Sequence, residues 1–428
     1  MRYRPKGERV STRCVVGHVI IVALCAVASA CTRDSASLDP DSDSPAANPG
    51  LPAPNGDLRI YRNPYGDVDW SHDLRLRAQH HDHVARAFAL PLITAYDAAG
   101  YDVLSLMDYS GKPSVFYSLQ ERPWPPERWV PQSILAALVN IKLFIPNGEE
   151  VGGDAHATSP FMTTYVEVAP AGASALPWQY RDTPDLLRLV RESGGLMCLA
   201  HPFNTTYEHL AGLRCVEIYN AFGEAAKTEM PGNPLQTYDG NAALVANWDR
   251  ALAQNQDILG IAVNDHFGPG AARTATLPPQ VLDSGKIVVL AKAATLDAYR
   301  SAFERGAFFA IRDRGIVKDR YPAIFSVSAG ATFVSIESNG NVAWKTGGSL
   351  VADGPVLRFT AIPANSQYVR AEITDNDGSI VFTQAFVVRP AGDADADYDV
   401  DQDDKAICAA VSQGREAHPL RVAACRAI

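Results

Sequence analysis

The chain has 428 residues, enough for about two or three domains, and 47% of them are hydrophobic, ordinary for a protein with a sizeable core. Its formal net charge of −10 excludes the broad basic footprint that grips a nucleic-acid backbone, so a nucleic-acid polymer is an unlikely partner. A small anionic ligand stays open to it if bound cations supply local positive charge.

Residues 1–30 read as an export signal. A basic start runs to Arg13, and an apolar core from Cys14 to Val27 is too short for a confident membrane span. It ends Ala28-Ser29-Ala30-Cys31. Ala-x-Ala suits ordinary signal cleavage. Small residues directly before Cys31 suit a bacterial lipobox, in which Cys31 becomes the lipidated first residue, although Leu is commoner where Ala28 stands. The favoured expectation is an exported lipoprotein anchored through Cys31, with plain secretion as the alternative. Residues 31–56, rich in Asp, Ser, Pro and Ala, read as a disordered tether. Four cysteines then remain: Cys198, Cys215, Cys408 and Cys425. Cys408 and Cys425 flank a short tail segment and could bridge. Cys198 and Cys215 lie in apolar runs and read as well as plain buried thiols, so the pairing stays open.

From residue 57 to 314, short apolar runs alternate with amphipathic stretches. The runs YDVLSLMD, LMCLAHP, CVEIYN and ILGIAVND read as buried strands ending in polar residues. TPDLLRLVRESGG reads as a helix capped by Thr183, with Pro184 in its first turn and Gly194 as its stop; LDAYRSAFERGA reads as another. Strand–helix alternation implies parallel strands with chemistry at their C-terminal ends. Residues 315–391 change texture to alternating strands, with Asp377-Gly378 as a hairpin turn, and read as a small antiparallel β domain. Residues 392–428 form an acidic linker and tail. Alternate carboxylates from Asp395 to Asp404 can gather Ca²⁺, but no Gly stands at the usual turn position and no Glu closes the run, so a solvated acidic linker is the competing reading.

Chemistry concentrates in the His residues. His80, His81 and His83 fall in one short run, and His81 and His83 share a face if the run is extended. Two imidazoles side by side suit a divalent cation. Further acids and His residues stand near the ends of apolar runs: Asp108, Glu150, His156, His201, Glu217, Asp265 and His266. His72 reads as a surface residue.

In this order the motifs resemble the PHP (polymerase and histidinol phosphatase) superfamily of metal-dependent phosphoesterases. His81-Asp82-His83 resembles its opening His-x-His. Asp108-Tyr109 resembles its Asp-His strand end. Glu150 and His156 follow, then Ala200-His201-Pro202. Glu217 and Asn220 resemble a Glu-x-x-Asn strand, and Asn264-Asp265-His266 approximates a closing Asp-x-His. The resemblance implies an α/β fold: a distorted seven-stranded β/α (TIM-like) barrel, here followed by the small antiparallel β-sandwich-like domain. It implies two divalent ions, Zn²⁺ or Mn²⁺ from the His/carboxylate donor set. His81, His83, Glu150 and Asp265 would surround one, and Glu150, His156 and His201 the other, with Glu150 bridging. Asp265 and His266 would be catalytic, His266 as a proton donor and a further metal-ligand candidate. Asp108, Tyr109, Glu217, Asn220 and Asn264 would touch substrate or orient ligands. Two departures stand out: Tyr109 replaces a His, and the last motif is compressed, which favours two ions over the three the family often binds. The implied activity is hydrolysis of small phosphomonoesters or phosphodiesters. The rivals are a catalytically degenerate PHP-like metal- or ligand-binding lipoprotein and an amidohydrolase-type metallohydrolase.

Overall fold

The computed structural model describes residues 58–82, 86–109, 132–151, 156–164, 166, 183–201, 212–222, 241–254, 257–265, 284–314, 320–330, 332–395, 400, 402–416, 421 and 425; within these, the side chains of 86–89, 108–109, 146–151, 183–184 and 241 are not described. The signal, Cys31, the tether, His83 and His266 therefore lie outside the described residues.

Strand β1 (Leu58–Arg62) is followed by β2 (Leu74–Gln79), helix α1 (Arg86–Ala98), β3 (Val103–Tyr109), α2 (Gln132–Leu135) and β4 (Leu143–Val151). β2, β3 and β4 are parallel neighbours, as helical crossovers require. β5 (Ala157–Pro160) then runs antiparallel between β4 and the two-residue β6 (Cys198–Leu199). Parallel pairing resumes from β6 to β7 (Cys215–Asn220) and β8 (Leu259–Val263). The expectation of uniformly parallel strands fails at β5 because a short connection from β4, with no helix between them among the described residues, can only return antiparallel. The run LMCLAHP contributes only Cys198–Leu199 to the sheet, since the chain leaves regular pairing to present His201.

The helices end where the sequence says they should. α3 (Thr183–Glu192) stops before Gly194, whose φ of 78° needs no Cβ to clash. After α4 (Asn241–Ala253) and β9 (Gly285–Ala291), helix α5 (Leu296–Arg305) begins at Thr295, whose hydroxyl accepts the Ala298 N–H at 3.3 Å. Gly306 closes it in the left-handed region. Tyr299, Ala302 and Phe303 form its buried stripe, at the spacing of one helix face.

The later strands are β10 (Phe308–Arg312), β11 (Ile324–Gly330), β12 (Phe333–Ser338), β13 (Asn341–Thr346), β14 (Ser349–Asp353), β15 (Val356–Arg358), β16 (Tyr368–Thr374), β17 (Ile380–Thr383) and β18 (Phe386–Pro390), followed by α6 (Gln402–Ser412). Residues 314/315 do not break the architecture. β10 pairs with β9 on one side and β17 on the other, and β1 pairs with β18, so the antiparallel strands extend the main sheet. Among the described residues, β11, β12 and β15 form a separate three-stranded sheet. Residues 52–428 make one compact unit, with 15 strands of the described residues in a single sheet. Asp377-Gly378 does lie in the β16–β17 turn, with Gly378 at φ 85°. Cys198 is bonded to Cys215, its register partner on the adjacent strand, and Cys408 to Cys425. Among the described residues, no helix is long and apolar enough to cross a membrane.

Candidate metal centre

Three strand ends converge. His81 follows β2, His201 follows β6 and Asp265 follows β8. One donor atom from each lies within 4.8 Å of the others. His81 Nε2 is 3.2 Å from Asp265 Oδ1, and His201 Nε2 is 3.7 Å from Asp265 Oδ2. The His156 ring stands edge-on to His201, centroids 5.2 Å apart. His201 and Asp265 hold φ values of 25° and 55°, where residues with a Cβ are uncommon. Such backbone persists when its surroundings over-determine it, and it clusters at working sites.

The surroundings do over-determine it. Glu217, fully buried in β7, accepts from His81 Nδ1 at 2.5 Å and from the His201 backbone N–H at 2.7 Å. Asn220, at the end of the same strand, donates to Glu217 Oε2 at 3.0 Å and to Asp265 Oδ2 at 2.9 Å. The Asp265 N–H reaches back to the His81 carbonyl at 2.8 Å. Burial alone would raise the pKa of Glu217, but the charges of His81 and His201 and the donors on its oxygens outweigh that and hold it below the ordinary carboxylate value. A charged Glu217 fixes the proton of His81 on Nδ1 and aims Nε2 at Asp265. A carboxylate behind an imidazole is the arrangement that orients a metal-ligating His. Two imidazoles and a carboxylate suit Zn²⁺ or Mn²⁺ better than Mg²⁺ or Ca²⁺.

The expected residues thus divide. His81, His201 and Asp265 meet, with His156 beside them and Glu217 and Asn220 behind. His201 approaches the same carboxylate as His81, where separate ions were expected. Asp108, Tyr109 and Glu150 are described as backbone only: Tyr109 pairs with Glu150 across β3 and β4. Asn264 faces away from the convergence, donating to the Tyr96 hydroxyl at 3.0 Å and accepting from the Gly285 N–H at 2.8 Å. His80 points to the opposite side of β2, stacked on Phe303 at 4.9 Å and within 2.7 Å of the Tyr299 hydroxyl; burial pushes its pKa down to about 3 and keeps it neutral. His72 is exposed beside Asp69. In the tail, Asp393, Asp395 and Asp404 bring one oxygen each within 4.8 Å. Asp404 there accepts the N–H groups of Ala394 and Asp395, a structural task for its buried carboxylate.

Sequence reasoning missed Gln79. Its side chain ties the end of β2 to β8 and β9 and is fully buried. A polar residue closing an alternating Leu/Arg strand was its only signal.

No protein-family model matches the chain, and no curated protein does. Among solved structures it is similar to a two-domain protein containing a predicted PHP-like metal-dependent phosphoesterase from Bacteroides vulgatus, at 15% identity and a TM-score of 0.39, over 77% of this chain and 90% of the other. It is also similar to PsfC from Pseudomonas syringae, at 12% identity and a TM-score of 0.31, over 54% and 87%. Both TM-scores are too low to establish a shared fold.

Proposed function

We propose that the chain is a metal-dependent hydrolase of phosphoester bonds in small phosphomonoesters or phosphodiesters, built on a PHP-type β/α barrel. The observation that carries this reading is the meeting of His81, His201 and Asp265, drawn from three strand ends, with Glu217 orienting the first. The edge strand β8 turning toward β9, where Asn264 bonds Gly285, supports a sheet that closes on itself. His81, His201 and Asp265, with His156 beside them and Glu150 as a further donor, would hold one or two Zn²⁺ or Mn²⁺ ions. Bound ions of this kind supply Lewis acidity and a water nucleophile at neutral pH. The chain's own task is then to fix the His81 tautomer through Glu217, to hold Asp265 through Asn220, and to keep Glu217 ionised.

The test is metal content together with hydrolysis of an aryl phosphate panel of monoesters and diesters, with Mn²⁺ or Zn²⁺ added. His201→Ala should abolish metal uptake and turnover, and His72→Ala should change neither. A protein that takes up the ions but hydrolyses nothing would overturn the hydrolase reading in favour of a metal-binding role.

A further inference from the structure

His81 and Asp265 lie 184 positions apart in the chain, so something must set the distance between their strands. We propose that the buried carboxamides of Gln79 and Asn264, closed on Gly285, are the positioning device for these two ligands; the inference rests on the metal reading above. Gln79 Oε1 accepts from three backbone N–H groups: His80 at 2.9 Å, His81 at 3.3 Å and Asn264 at 3.3 Å. Those groups belong to the two turns that carry His81 and Asp265. Gln79 Nε2 donates to the Gly285 carbonyl at 2.8 Å, while Asn264 Oδ1 accepts the Gly285 N–H at 2.8 Å. One peptide position of β9 is therefore gripped from both sides, by the residue ending β2 and the residue following β8. A Cβ on Gly285 would run into the backbone of Val263, so the close approach requires glycine there. Gln79, Asn264 and Gln384 are all fully buried.

Gln384 supplies a matched control. Its carboxamide grips Gly260 of β8 in the same two-sided way, accepting its N–H at 2.9 Å and donating to its carbonyl at 2.8 Å. That grip lies at the other end of β8, away from His81 and Asp265. Gln79→Met and Gln384→Met each remove a buried carboxamide of the same size from the same sheet. Both should lower the melting temperature of the metal-free protein. Only Gln79→Met should weaken Zn²⁺ or Mn²⁺ binding, by at least about tenfold, as for residues that orient ligands from behind.

The measurement is chelator-competition titration of the full chain, with thermal melts of the metal-free forms alongside. Equal metal affinities for Gln79→Met and Gln384→Met would overturn the proposal and leave Gln79 a core residue. If Gln79→Met does not fold, Gln79→Asn carries the test. It keeps the amide but withdraws it by one methylene, and an unchanged affinity there overturns the proposal equally. If the wild-type protein takes up neither ion, the metal reading fails and the inference falls with it. If the wild type binds and Gln79→Asn binds as well, only the inference falls.

Discussion

Two of the polar clusters among the described residues are built from opposite chemistry. At the strand ends, the carboxylates of Glu217 and Asp265 face imidazoles and an amide. Between α4 and the late strands, Asp249 and Glu372 face the Arg370 guanidinium, at 2.7 and 2.8 Å, with the Tyr368 hydroxyl on Asp249 at 2.6 Å and Lys345 on Glu372 at 2.7 Å. The second cluster is balanced by permanent cations. Burial would lower the pKa of Arg370, but Asp249 and Glu372 outweigh it and hold it above its ordinary value. The first cluster has groups whose charge a proton or a metal must complete. The lesson is that burial of polar groups does not mark function by itself. What marks it is a donor set that a cation would finish, on backbone bent into the left-handed region.

The sharpest way to break this comparison is to remove the balancing cation. Arg370→Met leaves the buried Asp249 without its guanidinium, while Glu372 keeps Lys345, and breaking such a buried pair costs about 3–5 kcal/mol. Urea denaturation should show that loss in the metal-free protein. Metal affinity of the folded fraction should stay at the wild-type value. If Arg370→Met instead leaves stability intact and lowers metal affinity, the two clusters do not have the separate tasks assigned to them.

Glu217→Gln tests the other side. It keeps an oxygen for His81 Nδ1 but loses the charge and the oxygen, Oε2, that accepts from both His201 and Asn220. Metal affinity should drop by about 10–100-fold, the range for groups that orient ligands from behind. Competition titration measures it. An unchanged affinity would make Glu217 a structural residue like Asp249.

Much of this was legible in the sequence, for local reasons. CVEIYN and ILGIAVN are apolar runs bounded by polar residues, and they do become β7 and β8 with Glu217, Asn220 and Asp265 where they were expected along the strands. The helix over LDAYRSAFERGA follows from its own pattern, and Thr295 and Gly306 close its two ends. What stayed hidden is non-local. Gln79 finds partners 185 and 206 residues away, and nothing in its neighbours hints at either. The independent β domain was expected because its strands alternate in burial pattern. Alternation says that a strand has one covered face, not which sheet it joins, and β17 joins β10 of the first half. Asn264 was expected, by its place in a motif, to touch substrate or to orient ligands. The motif does not tell that its side chain turns to Tyr96 and Gly285.

The smallest effect separates a polar anchor that is only local from both clusters. Asp97, in the last turn of α1, accepts the backbone N–H groups of Val139 and Asn140, at 3.1 and 2.7 Å, and of Ile141 at 2.9 Å. It ties α1 to the segment entering β4. Desolvation is the largest single influence and raises its pKa, but the three N–H donors together prevail and hold it below the ordinary value of 3.8. Its contribution is therefore fully present above that value and lost as pH falls through the lower folded-state pKa. Asp97→Ala should destabilise the chain by about 1–2 kcal/mol, the typical cost of removing such an acceptor, discounted because the site is partly solvated. Urea midpoints of the wild type and Asp97→Ala should differ at pH 7 and converge as pH falls through the lowered folded-state pKa of Asp97, where the wild-type carboxylate takes up its proton. A difference that persists undiminished into acid would mean that Asp97 acts by packing, and that its charge does not hold the turn.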